Sequence, residues 1–219
     1  MDKEYYFSVM YPLQDRVIGI LSGLETGFYL TGGTAASRGY LHHRFSDDLD
    51  FFVNDDARFV LWAERLVQSL SRIPGWRLDV TLKEERFVRV GIRDRETLLK
   101  VEMINDVPAR SGEITDHPAL GRLDSPENIL ANKVSALLDR GEPKDLADIW
   151  GFCCRMRLSL DDAIRGAQGK AAGVFPADLA RALCSATSSD WELIRWIEAP
   201  DVGRFKADLD LLGESLILG

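Results

Sequence analysis

Apolar positions along the first half of the chain switch repeatedly between a helical and an alternating period. Between residues 11 and 24, Leu13, Val17, Ile18, Ile20 and Leu21 recur at near-helical spacing, and Gly23 and Gly27 supply a stop, which predicts a first helix. Residues 27–31 are short, aromatic and bounded by glycine, the pattern of a buried strand. Gly32-Gly33 ends that strand, residues 34–41 suit a short helix, and residues 48–53 alternate as a second strand closed by Asn54-Asp55-Asp56. Phe59, Leu61, Trp62, Leu66, Val67 and Leu70 mark an amphipathic helix over 59–70, stopped by Ile73-Pro74-Gly75. Residues 76–82, 86–92 and 97–104 then carry partial period-two patterns with charged outer positions, predicting three further strands.

From Ser125 onward only helical periods remain, near 125–140, 143–157, 160–168, 176–186, 190–198 and 203–212. The break lies within residues 107–123, where Pro108, Gly112, Pro118 and Gly121 cluster without a period. The expectation is an α+β chain: a mixed α/β domain over 1–117 and an all-helical domain over 118–219, with residues of both serving one ligand.

Composition narrows the classes. With 219 residues, 46% hydrophobic and 28% charged, the chain can bury a core without disulfide staples, and disorder and repeat arrays are set aside. Lys+Arg 27 against Asp+Glu 35 gives a net charge of −8, the opposite of the broad positive field of a protein that coats nucleic acid, so a polyanion has to be held locally. Cys153, Cys154 and Cys184 are odd in number and form no CxxC pair, which suits a reducing compartment and predicts a cytoplasmic protein. The N-terminal MDKEYYFSVM has no apolar centre, and no stretch approaches the ~18 apolar residues of a membrane span, so neither secretion nor a membrane partner is expected.

Candidate chemistry starts at Asp48 and Asp50. Two residues apart on a strand, they project from one face while Leu49 and Phe51 point to the other. Like charges so placed favour a cation between them, and hard oxygen donors favour Mg²⁺ or Mn²⁺. An isolated pair of this kind is usually a solvated strand edge. Glu102, on the same face of its strand as Lys100, either completes the metal cage or is the exposed side of a half-buried strand. Gly32-Gly33-Thr34 follows a strand and opens a helix, where backbone amides can turn toward a phosphate; Thr34 can cap the helix or donate to the same phosphate. Arg44 and Ser46 precede the acids and either fix the loop, touch phosphate or, for Arg44, balance Asp47 at the surface. His42-His43 suits a loop or helix end better than transition-metal ligation, and His117 carries no signal.

Ser125-Pro126-Glu127 is a strong helix start. At 100° per residue, Lys133 and Arg140 share one line within the apolar arc, either snorkelling at its margin or, for Lys133, reaching a triphosphate. Lys144 sits in the first turn of the next helix, where a cation opposes the dipole, so a bound anion would explain it. Asp145 and Asp148 stabilise that turn; Asp145 is a candidate site residue and Asp148 is read as structural.

Taken together these segments resemble the AbiEii/AbiGii-type toxins, nucleotidyltransferases of bacterial abortive-infection and toxin–antitoxin systems. Residues 28–35 (FYLTGGTA) look like the family's glycine turn, and residues 44–51 (RFSDDLDF) like its R-x-S-x-D-[LI]-D-[FL] segment. Lys100-Val101-Glu102 resembles the third-carboxylate strand, while residues 129–140 and 144–148 resemble the lysine helix and the K-D-x-x-D start that follows it. The resemblance runs from about Phe28 to Trp150 and implies a polymerase-beta-like nucleotidyltransferase fold. It also implies Asp48, Asp50 and Glu102 as catalytic metal ligands for Mg²⁺ or Mn²⁺, and Gly32, Gly33, Thr34, Arg44, Ser46, Lys133, Lys144 and Asp145 as binders of a nucleoside triphosphate. The acceptor it implies is an RNA hydroxyl at the tRNA 3′ end, with a cognate antitoxin as partner. An aminoglycoside-like small molecule or a protein hydroxyl are alternative acceptors, and a non-catalytic nucleotide- or partner-binding module is the non-enzymatic alternative.

Overall fold

The strand that carries the acid pair runs from Leu49 to Asn54 (β2), and its alternation is the expected one: Leu49, Phe51 and Val53 are buried while Asp50, Phe52 and Asn54 are half-buried. Asp48 lies one residue before it. The structure, a computed structural model, describes residues 3–218. Packing divides these into two units interleaved in sequence. One holds the residues up to Ala35, Ser46–Pro108 and Ile114–Asp124; the other holds Ala36–Phe45, Ala109–Glu113 and the residues from Ser125 onward.

In the first unit, β1 (Tyr29–Thr31), β2, β3 (Trp76–Lys83), β4 (Phe87–Asp94), β5 (Thr97–Asp106), β6 (Thr115–His117) and β7 (Gly121–Leu123) form one mixed sheet in the order β3-β4-β5-β2-β1-β7-β6. β2 runs antiparallel to β1 and parallel to β5, which sets Asp50 directly opposite Glu102. Val88, Val90, Ile92, Leu99, Val101 and Met103 fill the buried face with the apolar residues of β2. α1 (Lys3–Tyr5) and a π-helical stretch over Tyr6–Met10 lead without a break into α2 (Tyr11–Ser22), so the first helix starts well before the periodicity marks it. α4 (Phe59–Ser71) packs on α2, and its Phe59 and Trp62 meet Phe28 edge-on. α3 (Gly32–Thr34) is a single turn, continued as π-helix over Ala35–Leu41 where a short helix is expected.

In the second unit, α5 (Pro126–Arg140) is capped by the Ser125 hydroxyl, which accepts from Asn128 N–H at 3.1 Å, and ends on Gly141 in the left-handed conformation (φ 63°). It is followed by α6 (Pro143–Trp150) with a π-helical turn over Gly151–Arg155, then α7 (Leu160–Gln168), α8 (Pro176–Cys184), α9 (Ser188–Leu193) and α10 (Val202–Leu218). The helix expected over 190–198 stops at Leu193, because the following backbone bridges instead to the loop at Arg44: Arg44 pairs with Trp196, and Phe45 N–H donates to Arg195 C=O at 2.7 Å.

The break at 117/118 is therefore not one cut. Residues 115–123 close the edge of the sheet as the β6–β7 hairpin, whose three-residue strands are too short to show a period. Residues 109–113 pack with the helices instead: Ser111 C=O accepts from the Ser125 hydroxyl at 2.6 Å, and Ser111 N–H donates to Asn128 Oδ1 at 3.1 Å.

Candidate active site

In the first unit the chain turns at Gly32 with φ 67°, and a Cβ there would run into the Asp50 carboxylate. Glycine is required both by conformation and by this close approach. Thr34 is fully buried, its hydroxyl 3.0 Å from Ser46 Oγ and bonded to Asp48 C=O, so it stitches the turn to the segment that carries the acids. Gln14 Nε2 donates to Ser46 C=O at 2.9 Å, and the Tyr6 hydroxyl donates to Asp47 Oδ1 at 2.6 Å. The Tyr6 hydroxyl thus anchors Asp47.

Asp50 stands opposite Glu102 across the β2–β5 pairing, and two cations unforeseen in this role, Lys100 and Arg89, reach the acids. Lys100 Nζ lies 3.1 Å from Asp48 Oδ2 and 3.5 Å from Glu102 Oε1, and Arg89 Nε donates to Glu102 Oε1 at 2.6 Å. Burial alone would raise the Glu102 pKa, but the Arg89 hydrogen bond and the Lys100 charge outweigh it and hold the carboxyl below its ordinary value. For Lys100 the order is the same: burial opposes the charge, while Asp48, Glu102 and Asp50 together raise its pKa. Arg89 faces Glu102 across the β4–β5 register, a pairing that only strand alignment reveals.

The donor chemistry suits a hard divalent ion, since three carboxylates of one sheet region supply oxygen. An ammonium already sits among them as a cation. No three His, Cys, Asp or Glu side chains are arranged around a metal position among the described residues.

The second unit gathers Arg44, Lys133 and Asp145 with His43 and Asp148 in a buried network. Arg44 Nε and Nη2 both donate to Asp148, each at 2.7 Å, as a planar fork. Lys133 Nζ lies 2.7 Å from Asp148 Oδ2 and 3.0 Å from Asp145 Oδ1, while Arg140 forks onto Asp145 at 2.8 and 2.9 Å. His43 Nε2 is 3.0 Å from Asp148 Oδ1, and its Nδ1 is buried without a partner among the described residues. Burial would raise the Asp148 pKa, but Arg44, Lys133 and the His43 bond outweigh it and hold it well below the usual carboxylate range. For Lys133, Asp148 and Asp145 likewise overcome burial and raise the pKa.

Three expectations are corrected here. Lys133 does not snorkel: its side chain is only 6% exposed and its head is enclosed by carboxylates. Arg44 is not a surface residue: its guanidinium is buried on Asp148. Lys144 needs no bound anion to explain its place, because its ammonium is 2.7 Å from Glu142 Oε2. Asp148 is structural as read, but as the centre of the network; its partners lie far away in sequence, so no local signal reveals it. His42 is exposed at a loop with φ 50°, and His117 Nδ1 accepts from Ala119 N–H and Leu120 N–H, capping the β6–β7 turn.

The mixed sheet with its strand–glycine–helix turn and the helices around it make an α+β, polymerase-beta-like nucleotidyltransferase fold. The chain matches the family model described as "Nucleotidyl transferase AbiEii toxin, Type IV TA system" over residues 19–167, and it belongs to that family. Among solved structures it is similar to JHP933 from Helicobacter pylori, with a TM-score of 0.68 and 20% identity over 99% of this chain and 93% of that one. It is also similar to MenT4, a nucleotidyltransferase toxin from Mycobacterium tuberculosis H37Rv, with a TM-score of 0.69 and 16% identity over 99% of this chain and 86% of that one. The antibiotic-resistance factor ANT(2'')-Ia aligns with 72% of this chain and 91% of its own at a TM-score of 0.50 and 15% identity. At these identities the likenesses show the fold. No curated protein sequence matches the chain.

Proposed function

We propose that this nucleotidyltransferase moves a nucleoside monophosphate from a nucleoside triphosphate to an RNA hydroxyl, the 3′ end of tRNA being the first acceptor to test, and that it acts as the toxin of a pair with a cognate antitoxin. The observation that carries this reading is Asp50 standing opposite Glu102 and against Gly32, a turn that cannot bear a side chain, with Lys100 linking Glu102 to Asp48. These three carboxylates would hold the divalent ion, Mg²⁺ or Mn²⁺, which supplies charge neutralisation at the reacting phosphate.

The chain's own residues do the rest. Amides of Gly32 and Gly33 meet the phosphates, and Thr34 and Ser46 keep that turn in register with Asp48. The acceptor hydroxyl gives its proton to solvent as its oxygen attacks the α-phosphorus, a new P–O bond forms, and the bond to pyrophosphate breaks with its electron pair leaving on the pyrophosphate. Glu102, kept ionised by Arg89 and Lys100, fits a ligand role and is a weak base for the acceptor proton. In the second unit, Lys144 keeps a half-exposed ammonium beside Glu142 in the first turn of α6, while Arg44, Lys133 and Asp145 brace that helix from its buried side. Family membership in a toxin–antitoxin system supports the antitoxin as partner. Among the described residues no helix is long and apolar enough to cross a membrane.

The test is incubation with each α-labelled nucleoside triphosphate and total cellular RNA, comparing the parent with Asp50→Ala. Label on tRNA-sized species that disappears in the variant supports the reading. Label on a protein or a small molecule replaces the RNA acceptor, and no label with any triphosphate removes the reaction.

A further inference from the structure

Lys100 and Glu102 alternate onto one face of β5, and Asp50 stands opposite Glu102 on β2. Arg89 stands opposite Glu102 on the other side. The two cations differ in what they join. Arg89 serves Glu102 alone among the three acids, with its guanidinium 5.2 Å from the Phe87 ring. Lys100 instead bridges the two chain segments, at 3.1 Å from Asp48 and 3.5 Å from Glu102, the same two carboxylates assigned above to a divalent ion. A small divalent ion sits about 2.1 Å from its oxygens, so it and an ammonium cannot share that space.

We propose that Lys100 is a resident counter-ion of the acid triad, whose ammonium holds Asp48 and Glu102 together in the metal-free enzyme and leaves them when a divalent cation enters. This rests on the reading that the triad binds such an ion. Lys100 is the cation able to leave: its ammonium ends a flexible four-carbon stem and spans two acids at 3.1 and 3.5 Å, whereas Arg89 Nε holds Glu102 alone at the shorter 2.6 Å and keeps that carboxylate neutralised throughout. Two positive groups competing for the same oxygens are linked, and the linkage is reciprocal: the ion expels the ammonium, and removing the ammonium strengthens the ion. Lys100 thereby sets the divalent-ion concentration at which the enzyme loads, and spares the unloaded enzyme the repulsion of adjacent acids.

The experiment is a Mn²⁺ titration of the full chain, followed by the spin-resonance signal of free Mn²⁺, for the parent, Lys100→Met and Asp50→Asn. Lys100→Met is expected to bind Mn²⁺ at least about fivefold tighter, the lower end of typical site-to-site coupling. Equal or weaker binding overturns the counter-ion role. Should Asp50→Asn leave Mn²⁺ affinity unchanged, the ion is not in the triad, and the metal reading falls together with the inference. A second readout needs no variant: the acetylation rate of Lys100 in the parent, followed by peptide mass spectrometry, rises when Mg²⁺ is added. An unchanged or slower rate overturns the proposal.

Discussion

Asp148 takes a two-pronged bond from Arg44, a third contact from His43 and a fourth from the Lys133 ammonium, with no side-chain exposure of its own. Burying a carboxylate is costly, and here that cost is offset only because every oxygen is saturated by a cation or donor. Removing one partner strands the rest. Lys133→Met and Asp148→Asn are each expected to lose about 3–5 kcal/mol of folding stability in urea unfolding, the cost of uncompensating a buried pair. A loss under about 1 kcal/mol would place these groups among ordinary surface ion pairs. Gly32→Ala tests a different kind of residue: the left-handed backbone costs at least about 1 kcal/mol and the new methyl displaces the Asp50 carboxylate. Nucleotide transfer is expected to fall far more in this variant than thermal stability does, measured by labelling and calorimetry on the same sample.

The elements around Asp148 give the protein a two-stage response to acid. Burial holds the His43 pKa below its ordinary 6.5, partly offset by Asp148, so the unfolded chain takes up a proton first as pH falls. The contribution of His43 is complete above about 6.5 and declines below it. Asp145 and Asp148 also have folded pKa values below their ordinary 3.8, so their contribution is present above that value and is lost further into acid. The urea midpoint is expected to drop in both windows, and His43→Gln is expected to remove the upper one alone. Lys133 has the opposite sign: its raised pKa gives stability that persists until pH climbs past 10.5.

Most elements could be read from the chain because their cause is local. The 59–70 helix and the three strands after it follow from apolar spacing, and α5 follows from its serine cap and Pro126. Elements fixed by distant partners could not. β6 and β7 exist through pairing with each other and with β1, and the early end of α9 reflects the bridge from Trp196 to Arg44. The same division applies to the site. Asp48, Asp50 and the glycine turn are spelled out by alternation and by residue type, whereas Arg89 needs the β4–β5 register and His43 needs a partner 105 positions away.

At the scale of the molecule, a net charge of −8 repels bulk RNA, so any RNA acceptor has to be met by a local basic patch. Arg155 and Arg157 are exposed beside the π-helical turn that ends α6, with Arg157 at φ 61°. If they meet the acceptor's backbone, replacing both with Glu lowers the slope of log affinity against log salt by roughly 1.4–1.8, the share of two phosphate contacts. Gel-shift titrations with tRNA at several salt concentrations give that slope, and an unchanged value assigns the patch to ordinary solvation.

Interleaving of the two units decides how the protein can be dissected. A stop codon after residue 117 would release a fragment that still carries Arg44 but has lost Asp148, and the complementary piece would keep Lys133 and Asp148 without the guanidinium that shares their charge. Neither piece contains a whole packing unit, so subcloning by halves is a poor route to an isolated catalytic module. Coexpression of both fragments, allowing them to complement each other during folding, is the form in which a split version would survive.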